Sequence, residues 1–169
     1  IKNLGTEKYL NVSGSSDTEG ANVTIYTKDG TIGQDFYLVP DGAAFRIYSP
    51  CAPNRQMSVQ AGYAEIYQKV NGDYGLWYLE RIEGNIFIIR SKNDPNMVLT
   101  AKSYYDGAKT VPSEYVVGNQ NQLWEFSGNT AYEESRIIEI IWAVDGEIYK
   151  ERYSYNEMPE CPVTPVKPG

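Results

Sequence analysis

Histidine is absent from the 169 residues. That removes Ser-His-Asp and Cys-His nucleophilic catalysis, and every His-ligated metal, in one step. Two cysteines remain, Cys51 and Cys161, 110 positions apart. A disulfide tying the tail to the body and two unpaired thiols both fit the sequence, because spacing alone does not bring two Cys within bonding reach. Carboxylates are plentiful, with 22 Asp and Glu, but a glycosidase needs two at a set separation and no pair stands out. No Asp-rich loop has the ligand spacing of a calcium site. The expectation is a chain without catalytic residues, metal or cofactor. Recognition chemistry remains. A sugar ring presents hydroxyls in fixed directions and one patch of C–H groups, so a carboxylate or amide beside a flat ring is its matching surface. The 15 Tyr supply flat rings in number.

Composition narrows the class of partner. The net charge is −7, and an acidic surface repels phosphates, which argues against nucleic acid. No apolar run approaches the roughly 18 residues of a membrane span, so no membrane insertion is expected. Ile1 opens inside what reads as a strand, so the chain reads as a mature or excised piece of a longer, multi-domain protein. Many Tyr with 15 Gly and 9 Pro lean towards β structure, because aromatics fit a pleated surface while Gly and Pro make turns.

The elements that would position any site are organised around Asn121-Gln122-Leu123-Trp124-Glu125-Phe126. Weaker copies of this stretch occur at Gln34-Asp35-Phe36 and Gly75-Leu76-Trp77. The aromatics Phe36, Trp77 and Trp124 lie 41 and 47 residues apart, an interval that suggests a repeated supersecondary unit. The units run over 1–42, 43–84 and 85–128. Phe45-Arg46-Ile47-Tyr48-Ser49 matches Phe87-Ile88-Ile89-Arg90-Ser91. Leu10, Met57 and Leu99 hold one core position; Ile25, Ile66 and Val111 are aligned at another. Each unit then has four short strands, giving twelve, with no helical periodicity. Large aromatics at a symmetric repeat position are expected in the core, since they dominate burial energetics. Gln34 and Gln122 have two readings, as hydrogen-bonding braces for loops or as ligand contacts.

Three four-stranded units of about forty residues, each closing on a Gln-x-Trp-like element, resemble the ricin-type β-trefoil family over residues 1–128. The motif is complete at Gln122-Leu123-Trp124; Phe36 replaces the aromatic in the first copy and Gly75 replaces Gln in the second. The resemblance implies an all-β trefoil: a six-stranded barrel capped by three hairpins. It also implies where sugars would bind. In sugar-binding members an Asp follows the Leu-like core position, an aromatic after the next strand stacks on the sugar, and an Asn stands beside the Gln. Carried over, the first unit offers Asn11, Thr24, Tyr26 and Gln34, with Gly33 in place of the Asn. The second offers Ser58, Glu65 and Tyr67, with Tyr74. The third offers Thr100 and Pro112, with Asn121 and Gln122 retained. The Asp is missing from all three, and no unit keeps the whole set. The first unit ranks as the best candidate and the second next. Tyr63, Tyr104 and Tyr105, read as loop residues, are further candidate contacts. The alternative is that these are solvated surface residues of a trefoil without a sugar site. Asn11-Val12-Ser13 and Asn22-Val23-Thr24 also match the short N-glycosylation pattern.

Beyond residue 128 the sequence changes. The stretch from Arg136 to Tyr155 reads as a β-hairpin turning at Asp145-Gly146, a strong two-residue hairpin signal. That turn sets Trp142 opposite Tyr149, Ile138 opposite Tyr153 and Glu139 opposite Arg152. The 129–169 extension, with Pro159, Pro162, Pro165 and Pro168 at its end, resembles a single copy of the short β-rich repeats of bacterial cell-surface proteins. Together these readings point to a non-catalytic carbohydrate-binding, lectin-like module of an extracellular, secreted or cell-surface bacterial protein, with a glycan or polysaccharide as partner. The other reading is a protein-binding trefoil, such as a protease inhibitor or adhesion module. It would present a loop such as Ser49-Pro50-Cys51-Ala52-Pro53 or Ser103-Tyr104-Tyr105-Asp106.

Overall fold

A computed structural model of the chain describes residues 1–60, 62–67, 72–128, 137–144 and 147–154; for Ile66, Tyr67 and the two strands beyond residue 136 it describes the backbone alone. Twelve strands fill the first compact unit, residues 1–127. They are β1 (Lys2–Asn3), β2 (Tyr9–Val12), β3 (Ala21–Tyr26) and β4 (Tyr37–Asp41) in the first repeat. The second repeat supplies β5 (Ala44–Tyr48), β6 (Gln56–Gln60), β7 (Tyr63–Tyr67) and β8 (Trp77–Glu83). The third supplies β9 (Ile86–Ser91), β10 (Met97–Ala101), β11 (Ala108–Glu114) and β12 (Trp124–Glu125).

The outer strands of each repeat build a barrel and the inner two a cap. Strands β1, β12, β9, β8, β5 and β4 pair antiparallel in that succession. The hairpins β2–β3, β6–β7 and β10–β11 close over one end and meet each other, β11 against β3 and β3 against β7. This is the β-trefoil. No unit could bury its apolar face alone, and three of them bury one shared core. Leu10, Met57 and Leu99, one from each hairpin, are fully buried there beside Ile25, Ile47, Ile89, Trp77 and Trp124. Phe36 packs on the same cluster but is only partly buried.

Each tryptophan also ties barrel to cap. The Trp77 indole N–H donates to the Met57 carbonyl at 3.0 Å, and that of Trp124 to the Leu99 carbonyl at 2.9 Å. A buried indole N–H needs such a partner. Phe36, at the same repeat position, has no N–H to give.

The register corrects one expected equivalence. Leu10 pairs with Ile25 and Met57 with Ile66, but Leu99 pairs with Pro112. Val111 instead stands opposite Thr100, as Thr24 stands opposite Asn11 and Glu65 opposite Ser58. Aligning by apolar type slipped the third hairpin by one residue, and in a strand a slip of one exchanges the two faces. It follows that Ser113, paired with Val98, and not Pro112, occupies the place of Tyr26 and Tyr67.

The second compact unit, residues 128–169, contains β13 (Ile137–Val144) and β14 (Glu147–Ser154). Its register pairs Ile138 with Tyr153, Glu139 with Arg152 and Trp142 with Tyr149. These are the pairs that a two-residue turn at 145–146 requires. The turn itself, the Pro-rich end and Cys161, and with it the choice between a bridge to Cys51 and two thiols, lie outside the described residues.

Candidate functional site

The two glutamines of the repeat element are braces. Each ends a 3-10 turn, Ile32–Gln34 or Gln120–Gln122. Gln34 accepts from the Asp29 amide at 3.0 Å and donates to the Thr27 carbonyl at 2.9 Å. Gln122 accepts from the Val116 amide at 2.8 Å and donates to the Glu114 carbonyl at 2.8 Å. The same amide thus clamps the same loop in both repeats. A buried amide has four hydrogen-bonding sites to satisfy, and Gln122 uses a further N–H on the Thr100 hydroxyl at 3.2 Å. In the second repeat Gly75 leaves the space to Gln56, which arrives from β6. A Cβ on Gly75 would stand 2.2 Å from the Gln56 amide nitrogen. Gln56 is fully buried, its carbonyl oxygen accepts from Arg46 at 2.8 Å, and its amide nitrogen has no partner among the described residues.

The first repeat closes over its own candidate residues. Asn11 and Thr24 are buried, and the Asn11 amide donates to the Thr24 hydroxyl at 3.2 Å. The Thr24 hydroxyl in turn donates to the Asn11 carbonyl at 3.3 Å. The 3-10 turn Ser13–Ser15 lies on the Ile32–Gln34 turn, where the Gly33 amide donates to the Ser15 hydroxyl at 3.2 Å. A Cβ on Gly33 would come within 2.7 Å of that hydroxyl oxygen, so Ser15 fills the place where an Asn side chain would project. Tyr26 alone of this set is exposed, at 39%. The buried Asn11 amide is likewise poorly placed to carry a glycan.

In the second repeat Ser58 is fully buried, and its hydroxyl has no partner among the described residues. Glu65 stands across from it in β7 and is half-buried. Tyr67 follows in the same strand, and its side chain lies outside the described residues. Tyr74 is exposed.

The third repeat carries an open pocket of about 520 Å³. Its walls include Thr100, Val111, Ser113 and Asn121 from that repeat, with Lys102 at the start of the following loop. Tyr63 enters from the neighbouring hairpin. Thr100 donates to the Val98 carbonyl at 3.0 Å and accepts from Gln122, which fixes its hydroxyl. Asn121 is positioned from both ends. Its backbone amide donates to the Asn119 side chain at 3.1 Å. Its side chain lies against Gly5, where a Cβ would come within 2.0 Å of Oδ1, so only glycine leaves room. Its amide nitrogen reaches the Tyr104 hydroxyl at 3.5 Å, a long contact. The Lys109 ammonium sits 4.0 Å from the centroid of the Tyr63 ring, a cation–π contact.

The 102–107 loop above this pocket is tied to the first repeat. Asp106 accepts from Lys8 at 2.7 Å, from the Thr27 amide at 2.8 Å and from the Thr27 hydroxyl at 3.0 Å. The hydrogen bond from Lys8, aided by those from Thr27, holds its carboxyl below the ordinary Asp range. Tyr104 and Tyr105, beside it, are about two-thirds exposed.

Sequence reasoning named Asn121 and Gln122 and identified Thr100 as the counterpart of the family's Asp. It offered Tyr63 as a contact from a loop, whereas Tyr63 lies in β7, and it missed Lys102 and Ser113. Ser113 was masked by the one-residue slip. Tyr63 belongs to another repeat, and no spacing within a unit points to it.

Residues 1–66 match the model of a family described as ricin-type beta-trefoil lectin domain-like. Among solved structures, the chain is similar to ThreeFoil, a designed threefold symmetric protein, with TM-score 0.67 and 22% identity, over 73% of this chain and 93% of that one. It is similar to the C-half of the earthworm R-type lectin, solved in complex with GalNAc, with TM-score 0.60 and 17% identity, over 73% and 93%. An exo-beta-1,3-galactanase from Clostridium thermocellum matches with TM-score 0.66 and 23% identity, over 73% of this chain but 28% of that one. At these identities the likeness is one of fold. A comparison with curated proteins finds no match.

Proposed function

We propose that residues 1–127 form a non-catalytic carbohydrate-binding module and that its sugar site is the third-repeat pocket. The observation that carries this reading is one open pocket lined by Asn121, Ser113 and Tyr63, with Thr100 held beneath by Gln122. Fixed hydrogen-bonding groups beside a flat ring match the hydroxyls and the C–H face of a sugar. Gln122 supports both sides of the pocket, since it holds Thr100 directly and belongs to the same turn as Asn121. The first repeat, with Asn11 and Thr24 bonded to each other under the Ser13–Ser15 turn, serves the fold in this reading. The earthworm lectin half of similar fold was solved with GalNAc, which lends the reading support from outside the chain. The glycan is taken to be extracellular, with the module part of a secreted or cell-surface protein. A single shallow pocket binds weakly and gains through repetition of sites or copies.

A glycan array screened with the purified chain, with and without EDTA, tests the proposal. The expected result is binding that survives EDTA and is lost in Asn121→Ala and Tyr63→Ala, with the melting temperature of each variant near that of the parent. Loss in Tyr26→Ala or Tyr67→Ala, with Asn121→Ala unaffected, would move the site to another repeat. A blank array would overturn the reading and favour a protein partner on the exposed Tyr104-Tyr105 loop.

A further inference from the structure

The third-repeat pocket is a cationic spot on an acidic molecule. The chain carries a net charge of −7, and five of its described basic side chains are ion-paired. Lys8 pairs with Asp106, Arg46 with Asp41, Arg55 with Asp17 and Glu19, Arg90 with Glu80 and Lys92 with Asp73. Lys102 is not among them. It lines the pocket, is exposed, and has no ion pair among the described residues. Lys109 too has no ion pair among the described residues; its ammonium rests on the ring of Tyr63, a residue of the pocket's wall. No Asp or Glu is among the pocket's described lining residues, and opposite Val111 stands the neutral Thr100. The one carboxylate of the 102–107 loop, Asp106, is engaged by Lys8 and Thr27.

A carboxylate in such a pocket would accept hydrogen bonds from neutral sugar hydroxyls and repel a negatively charged sugar. With none on the described walls that repulsion is absent, and an unpaired ammonium at the rim favours an anion. We infer that the pocket selects an anionic sugar, one bearing a carboxylate or a sulfate group, with the Lys102 ammonium as its counter-charge. The rest of the ring is held by the groups already named: Asn121 and Thr100 by hydrogen bonds, Tyr63 by its face. Lys109, seated on the Tyr63 ring, adds positive potential beside the pocket. This inference rests on the reading of the pocket as a sugar site, and names the class of sugar.

The test is an array that pairs each neutral glycan with its sialylated, uronic-acid-bearing and sulfated counterparts, followed by calorimetric titration of the strongest pair into the parent chain, Lys102→Gln and Lys102→Arg. The expected result is preference for the acidic member of the pair. Lys102→Gln should weaken that member by about threefold to fivefold, as for an exposed ion pair. It should leave the neutral one unchanged, and Lys102→Arg should restore the preference. Raising salt should erode the preference as screening shortens the reach of the charge. The carboxylated and sulfated arms separate the two sources of charge. Equal or tighter binding of neutral glycans would overturn this inference and leave the sugar site standing. Preference for acidic glycans that Lys102→Gln does not change would overturn it as well, since the charge would be read elsewhere. Absence of binding to any glycan would overturn both.

Discussion

Trp124 donates its indole N–H to the carbonyl of Leu99, 2.9 Å away, across the join between barrel and cap. Both residues are fully buried. Trp77 repeats the bond on Met57 at 3.0 Å, so two of the three repeats lock their hairpin to the barrel in the same way. Trp124→Phe keeps most of the ring but leaves the Leu99 carbonyl unpaired, which is expected to cost about 1–3 kcal/mol. Trp124→Ala also leaves a cavity and is expected to cost about 3–5 kcal/mol. Urea denaturation of the two variants against the parent measures both. Equal stability of all three would show that the indole neither packs nor bonds as described.

Gln56 and Gly75 are coupled. Gly75→Ala would set a Cβ against the Gln56 amide in a space with no slack. Overpacking of this kind is expected to cost about 1–3 kcal/mol. Truncating Gln56 in the same chain makes room, so the double variant Gln56→Ala/Gly75→Ala should be less unstable than the sum of its parts. A double-mutant cycle by chemical denaturation should return a coupling of about 0.5–3 kcal/mol. Strict additivity would contradict the contact.

Asp106 fastens the tyrosine loop, and its bond is sensitive to acid. Its carboxyl is held below the ordinary value of 3.8 by the hydrogen bond from Lys8, with those from Thr27. A carboxyl whose folded pKa is depressed contributes its full stabilisation at neutral pH. The contribution begins to fade as pH falls through the ordinary Asp range, and it is gone below the folded pKa. The Thr27 amide, 2.8 Å from the carboxylate, reports this directly. Its NMR shift should titrate with a midpoint below 3.8, and Asp106→Asn should abolish the titration. A midpoint at or above the ordinary value would mean that the clip is absent in solution.

The described core residues all lie within residues 1–127. A chain ended after Gly128 should therefore retain a cooperative thermal transition and its glycan binding. Loss of the transition on truncation would show that the trefoil depends on the segment that follows.

The fold was legible because it rests on burial at a fixed interval. Trp77 and Trp124 recur where each repeat must fill the barrel, and Leu10, Met57 and Leu99 recur where each hairpin meets the axis. Hairpin register beyond residue 136 was equally readable, since a two-residue turn leaves one way to pair Trp142 with Tyr149. The site was less so. Ser15 adopts positive φ at 47°, an uncommon state for a serine. The turn it completes fills the space beside Gly33 where an Asn side chain would project. Pro112 and Val111 are both apolar, so type alone could not say which faces Leu99. Tyr63 reaches the third repeat's pocket only because β7 and β11 converge at the cap, a proximity that no interval along the chain encodes.

The most direct test of the sugar site is an NMR titration of the isotope-labelled chain with the strongest glycan from the array. The account expects saturable shifts centred on the Asn121 side-chain amide and the backbone amides of Tyr63, Thr100, Lys102 and Ser113. Shifts centred on Tyr26 or Tyr67, or none at ligand concentrations that saturate the array, would contradict it.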